Sequence, residues 1–263
     1  PMIRVIFNKK GGVGKSTIVA NLAAIDAASG RRTLVVDLDA QCNASQYLLG
    51  EAFNEAPAGI ANFFEQTLSF SIRATSLSGY VSATPFENLS VIVASPALAE
   101  MQSKLETRHK IYKLRDALKA LSPDFERIYI DTPPALNFFT VSALIAADRC
   151  LIPFDCDDFS RKAIYALLEN VEEIRQDHNA DLEIEGIIVN QFQARSNLPQ
   201  QIVSELIDEG LPILPTYLSG SIKVRESHQV SKPLIHLDRN HKLTQEYLAL
   251  FADLEKRKKP KKR

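Results

Sequence analysis

The sequence predicts an α/β fold: a doubly wound, mainly parallel sheet with helices on both faces. Three observations lead there. A Gly-rich string, Lys10-Gly11-Gly12-Val13-Gly14-Lys15-Ser16-Thr17, directly follows a short apolar run at the start of the chain. Further apolar runs of strand length alternate with helix-like segments as far as residue 255. Two of those runs deliver acids at their carboxyl ends, Asp37 with Asp39 and, later, Asp131, which is where open α/β sheets bind ligands.

In chain order, residues 3–7 are a compact apolar run read as the first strand. Residues 16–29 have the Ala/Leu/Ile content of a helix that Gly30 can end. Residues 33–36 form a second strand, and residues 50–88 are loop-rich. Runs at 89–94, 127–130, 150–154 and 184–190 read as further strands. Helix-like segments lie near 97–120, 137–147, 159–177, 197–209 and 241–255. Such alternation needs crossover helices, and hence a parallel sheet covered on both sides.

At 263 residues, 45% hydrophobic and 24% charged, the chain can bury the core of one large domain, expected over residues 1–255. It has no run of eighteen apolar residues and enters its first strand at once, so neither a membrane span nor a signal peptide is expected. A cytoplasmic location follows. Cys42, Cys150 and Cys156 lack the CxxC spacings of metal or redox sites and read as reduced thiols. The net charge of −1 conceals an asymmetry: seven of the 31 Lys and Arg residues lie in 256–263, leaving 24 in the body against 32 acids. This basic tail is either a disordered, solvated end or a contact for a polyanion such as DNA or an anionic membrane.

The Gly-rich string carries the clearest chemistry. Glycines at 11, 12 and 14 let successive backbone N–H groups turn inward as an anion nest, and the following helix adds its positive dipole end. Lys15 is placed to reach the β- and γ-phosphates, Ser16 to give its hydroxyl to Mg²⁺, and Thr17 to touch the α-phosphate. The full GxxxxGK[ST] string between a strand and a helix reads as the P-loop of an ATPase, with Gly11, Gly12, Val13, Gly14, Lys15, Ser16 and Thr17 on ATP. The general pattern leaves Lys10 free, so on its own it is as well read as a solvated loop lysine.

The string resembles the deviant Walker A motif of the ParA/MinD superfamily, nearest to its short Soj-like members. That resemblance implies that Lys10 crosses a dimer interface to the partner's nucleotide, a catalytic cation delivered in trans. The segment Asp37-Leu38-Asp39-Ala40-Gln41-Cys42-Asn43 is similar to the family's DxDPQGN. By resemblance Asp39 positions or activates the attacking water, and Asp37 supports the site at the metal's outer shell. Ala40 and Cys42 depart from the pattern, and Cys42 would be strained if the family's Gly serves a positive φ. Ile128-Tyr129-Ile130-Asp131-Thr132-Pro133-Pro134 reads as a Walker B strand with Asp131 near the Mg²⁺ shell. The bland alternatives are acids that end strands and cap helices, and prolines that stiffen a strand exit. Asn190 and the 215–218 loop, with Pro215, match regions that contact adenine in relatives.

The resemblance continues through residues 195–198, 221–226 and 232–235. It implies a surface that holds DNA without reading sequence, with Arg195 and Lys223 as candidates and Arg225 beside them, although each is equally well a solvated cation. It further implies an ATP-dependent homodimer, slow hydrolysis stimulated by a ParB-like or cargo-adaptor protein, and association with the nucleoid. The cargo would be a chromosome, a plasmid or a protein assembly. With the P-loop within ten residues of residue 1, no helix-turn-helix extension is expected. A MinD-like membrane ATPase is the main alternative, because Leu243, Tyr247, Leu250, Phe251 and Leu254 fall at helical spacing before the basic tail. The simpler reading packs them on the domain, since Glu246, Asp253 and Glu255 suit an anionic surface poorly. Biosynthetic synthetases sharing fold and phosphate loop are a further alternative.

Overall fold

The computed structural model describes residues 1–55, 57–195 and 198–257. Its first half runs β1 (Met2–Ile6), α1 (Lys15–Ala28), β2 (Thr33–Asp37), α2 (Asn43–Leu49), α3 (Ile60–Leu68), β3 (Ser82–Ala83), β4 (Leu89–Ile92), α4 (Leu98–Thr107) and α5 (Lys113–Ala120). The second half runs β5 (Arg127–Asp131), α6 (Phe138–Ala146), β6 (Arg149–Asp155), α7 (Arg161–Asp177) and β7 (Glu183–Asn190). It closes with α8 (Gln200–Asp208), α9 (Ile222–Gln229), α10 (Leu234–Leu237) and α11 (Lys242–Lys256).

Seven strands form one sheet in the order β3-β4-β2-β5-β1-β6-β7, and all neighbours are parallel except β3 with β4. Side chains alternate across the pleat, so Leu34 and Val36 enter one core while Val35 enters the other. The larger core packs helices α3 to α8 on one face. The second packs α1, α2, α10 and α11 on the opposite face. Helix α1 is buried nearly all round because it lies between the sheet and α11, which explains its run of Ala and Leu.

Helix α11 settles how its apolar residues are used. Leu243, Tyr247, Leu250 and Leu254 are buried against the second core, and Phe251 packs at its margin. The apolar face expected of a membrane-binding helix is thus spent inside the domain. No described helix is long and apolar enough to cross a membrane. Residues 258–263 of the basic tail lie outside the described residues.

The expected single helical segment over 97–120 is two helices, broken near His109, whose φ of +53° cannot continue a helix. The stretch expected to be loop-rich holds α3, an apolar helix stapled under the sheet by Phe63 and Phe64. Helices α2, α9 and α10 are too short for a 3.6-residue period to show in sequence.

Candidate functional site

The carboxyl ends of β1, β2 and β5 meet at one edge of the sheet, in register, with Ile6 and Asp37 both opposite Asp131. The phosphate loop follows β1 there. Asn8 fixes its start, donating to Pro153 O at 2.8 Å and accepting from Lys10 N at 2.9 Å. Gly12 and Gly14 have φ of +76° and +91°, and a Cβ on Gly14 would stand 2.3 Å from Asn190 Nδ2. Only glycine meets both demands at position 14. Asn190 donates to Val13 O and Gln191 to Gly12 O, each at 2.8 Å. With those carbonyls tied to the end of β7, the opposite N–H edges of the same peptides are left for an anion.

Lys15 starts α1 and is 7% exposed. Its Nζ donates to Lys10 O at 2.8 Å. Burial pulls its pKa down, opposed by Asp131 and Asp39. Ser16 Oγ donates to Asp131 Oδ2 at 2.5 Å. Asp131 is fully buried, and its Oδ1 has no hydrogen-bond partner. Burial and the neighbouring Asp37 raise its pKa well above the carboxylate range. An orphaned carboxylate oxygen beside a serine hydroxyl and a triphosphate loop fits Mg²⁺, a hard cation that takes oxygen ligands.

Asp37 is equally buried, and burial likewise raises its pKa. Its oxygens are both engaged: Oδ1 accepts from Asp39 N at 3.0 Å, Oδ2 from Ser45 N at 3.0 Å and Ser45 Oγ at 2.7 Å. These bonds make Asp37 an anchor for the loop after β2, in the position of a supporting residue behind Asp131. It acts on the site through its charge. Asp39 lines the cavity, and its Oδ1 accepts from Gln41 N at 3.0 Å.

Cys42 then adopts φ +60°, ψ +26° while 2% exposed. The strain foreseen from its replacing Gly is present, at a cost of about 1 kcal/mol. Cys42→Gly should shift stability by less than about 1 kcal/mol, since relief of that strain offsets lost burial of the thiol. Cys42→Val should cost about 2 kcal/mol, because a β-branched side chain fits neither the backbone nor the packing. Chemical denaturation of both variants checks this, and equal costs would show the backbone to be irrelevant.

The cavity holds about 1000 Å³ and is lined by the phosphate loop, Asp39, Gln41, Pro134, Asn190, the stretch from Ser219 to Ile222, and His228. Its size suits a nucleotide. Pro215 is exposed and does not line this cavity. The 215–218 loop is turned onto α11, where Thr216 bonds Asp253 at 2.8 Å, and the next four residues form the wall. Lys10 also stands outside. Its exposed ammonium pairs with Asp158 beside a smaller cavity of about 390 Å³ lined by Val13, Phe154 and Leu167.

Of the basic residues, Arg195 is exposed, while Ser196 and Asn197 after it lie outside the described residues. Lys223 is held by Glu226 at 3.1 Å and Asp238 at 3.6 Å, and these acids raise its pKa. It is not a free cation in this conformation. Arg225, two residues on, is exposed and also lines the large cavity. Nothing in the sequence points to His228, whose Nε2 lies 2.9 Å from Thr17 Oγ1, or to Tyr47, which stacks on its ring. Their meeting depends on the packing of α2 against α9.

A family described as "AAA domain" matches residues 2–184. The chain is 33% identical to the chromosome partitioning protein ParA of Myxococcus xanthus over 97% of its own length and 88% of that protein. Among solved structures, an ATP complex of Cyanothece McdA superposes with a TM-score of 0.82 over 98% of both chains, at 20% identity. Cobyrinic acid a,c-diamide synthase from Mycobacterium smegmatis, with an ATP analogue and magnesium, gives 0.74 at 26% identity over 92% of this chain and 98% of that one. Fold alone does not fix function. The 33% identity over 97% of the chain, together with a match across residues 2–184, makes the chain a member of the ParA/MinD family of P-loop proteins.

Proposed function

We propose that the protein is a partition or positioning ATPase. In this reading ATP and Mg²⁺ occupy the large cavity, with the phosphates on residues 11–17 and the cation held by Ser16 and Asp131. A Mg²⁺ ion held there would supply positive charge against the developing negative charge of the phosphates. Lys15 leaves Lys10 O for the phosphates, Asp39 orients the water, and hydrolysis gives ADP and phosphate. The unpartnered, buried Oδ1 of Asp131 beside the loop is the observation that carries nucleotide-metal binding.

Lys10 supports the rest of the cycle. Its ammonium is exposed, pairs with Asp158 and does not line the large cavity, which supports a role toward a partner's nucleotide over its own. ATP would therefore favour a face-to-face homodimer, to the extent that it binds the dimer better than the monomer. The dimer binds non-specific DNA, with Arg195 as the exposed cation, and works in the cytoplasm on the nucleoid. A ParB-like or cargo-adaptor protein triggers hydrolysis. Use of Lys223 for DNA requires its release from Glu226 and Asp238.

Retention of random-sequence duplex DNA tests this. Wild type should be retained with ATP, not with ADP or without nucleotide. Retention should fall at least about tenfold as salt rises from 50 to 200 mM, for a handful of phosphate contacts. Lys10→Ala should bind ATP yet lose retention. Nucleotide-independent retention, or full retention of Lys10→Ala, would sink the dimer switch.

A further inference from the structure

The His228 ring is held from two neighbouring helices, and its own helix braces one of the contacts. On α2, Tyr47 stacks on it with centroids 3.9 Å apart and planes 19° apart. On α1, Thr17 Oγ1 lies 2.9 Å from its Nε2. On α9, its neighbour Ser227 bonds Tyr47 Oη and donates to Lys232 O at 2.8 Å. Asn21 closes the set, its Nδ2 reaching Thr17 O at 2.8 Å and Tyr47 Oη at 3.3 Å. Both His228 and Thr17 line the nucleotide cavity. So rigid a mount for an imidazole at a phosphate-loop hydroxyl is more than packing requires.

We infer that His228 is a positioning residue for the nucleotide: its Nε2–H donates to Thr17 and so aims the threonine's own hydrogen at the nucleotide's phosphate. A hydroxyl has one hydrogen and two acceptor sites. When a neighbour donates to it, its hydrogen is free for an anion, and the two bonds strengthen each other. Burial lowers the His228 pKa, which keeps the ring neutral with one N–H to place. The stack on Tyr47 sets the plane in which that N–H points. The inference rests on the proposed nucleotide site, and in particular on Thr17 meeting the phosphates.

ADP binding to the full chain, measured by calorimetry, separates the two. Thr17→Val should weaken ADP about tenfold or more, as the loss of one hydrogen bond to a charged group does. If it binds as wild type does, the Thr17 contact itself fails and the inference falls with it. His228→Ala should lose about the same factor, His228→Gln, which can return an N–H near the same point, should recover most of it, and Thr17→Val/His228→Ala should be no worse than Thr17→Val. A His228→Ala affinity within twofold of wild type, or an equal loss in both backgrounds, would assign the ring to packing alone. Nitrogen NMR of the unmutated protein reads the same point without a variant. The Nε2–H tautomer is required, and an Nδ1–H ring overturns the inference.

Discussion

Asp39→Asn should lower ATP hydrolysis by a factor of about 100 or more while leaving ATP affinity within about threefold. The substitution is chosen for what it preserves. Asp39 Oδ1 accepts from Gln41 N, and its backbone N–H donates to Asp37, so an amide at this position keeps the loop's shape. What it removes is the negative charge that faces the cavity beside Lys15 and the orphaned Asp131 oxygen. Without it, nothing draws the proton of an attacking water, whereas the backbone N–H groups and Lys15 still hold the phosphates. Phosphate release under single-turnover conditions and nucleotide titration give the two numbers separately. Hydrolysis at the wild-type rate would move the catalytic role to another cavity residue, of which Gln41 is the first candidate.

The phosphate loop was legible because its chemistry is largely local: eight consecutive residues after a strand hold the glycines, the lysine and the hydroxyls, and distant Asn190 and Gln191 only tie its carbonyls back. Asp131 was legible for a related reason, since an apolar strand that ends in an acid places that acid at the sheet's ligand edge whatever the neighbours are. Asp37 shows the limit. Its position followed from the strand, but its role depends on Ser45, eight residues on, which folds back to occupy one of its oxygens. His228 and Tyr47 mark the other extreme, 181 residues apart in sequence and in contact only because α2 and α9 pack over α1. Lys223 and Arg225 are two apart on a short helix and therefore diverge, one toward two acids and the other toward the cavity.

At the opposite end of the strands a buried ionic chain should dominate stability without touching the site. Arg4 is fully buried on β1 and forks onto Glu185, both contacts at 2.6 Å, while its Nη1 donates to Tyr129 at 2.8 Å. Tyr129 donates onward to Asp26 at 2.8 Å, and Arg31 pairs with Asp26 and with Glu255 of α11. Arg149 shares Glu185 at 3.0 Å. Removing one partner leaves a guanidinium with neither water nor counter-charge, so Glu185→Ala should cost about 3–5 kcal/mol. For a chain of this size that lowers Tm by about 10 °C. Replacing both ends with apolar residues, Arg4→Met with Glu185→Leu, should recover part of the loss, because Arg4 is then no unpaired charge, while Arg149 still loses Glu185. In each variant ATP should raise Tm by the same increment as in wild type, since linkage depends on affinity at a cavity these residues do not line. A double variant as unstable as the single would mean that the pair itself, with its bonds to Tyr129 and Arg149, holds the lower edge of the sheet together.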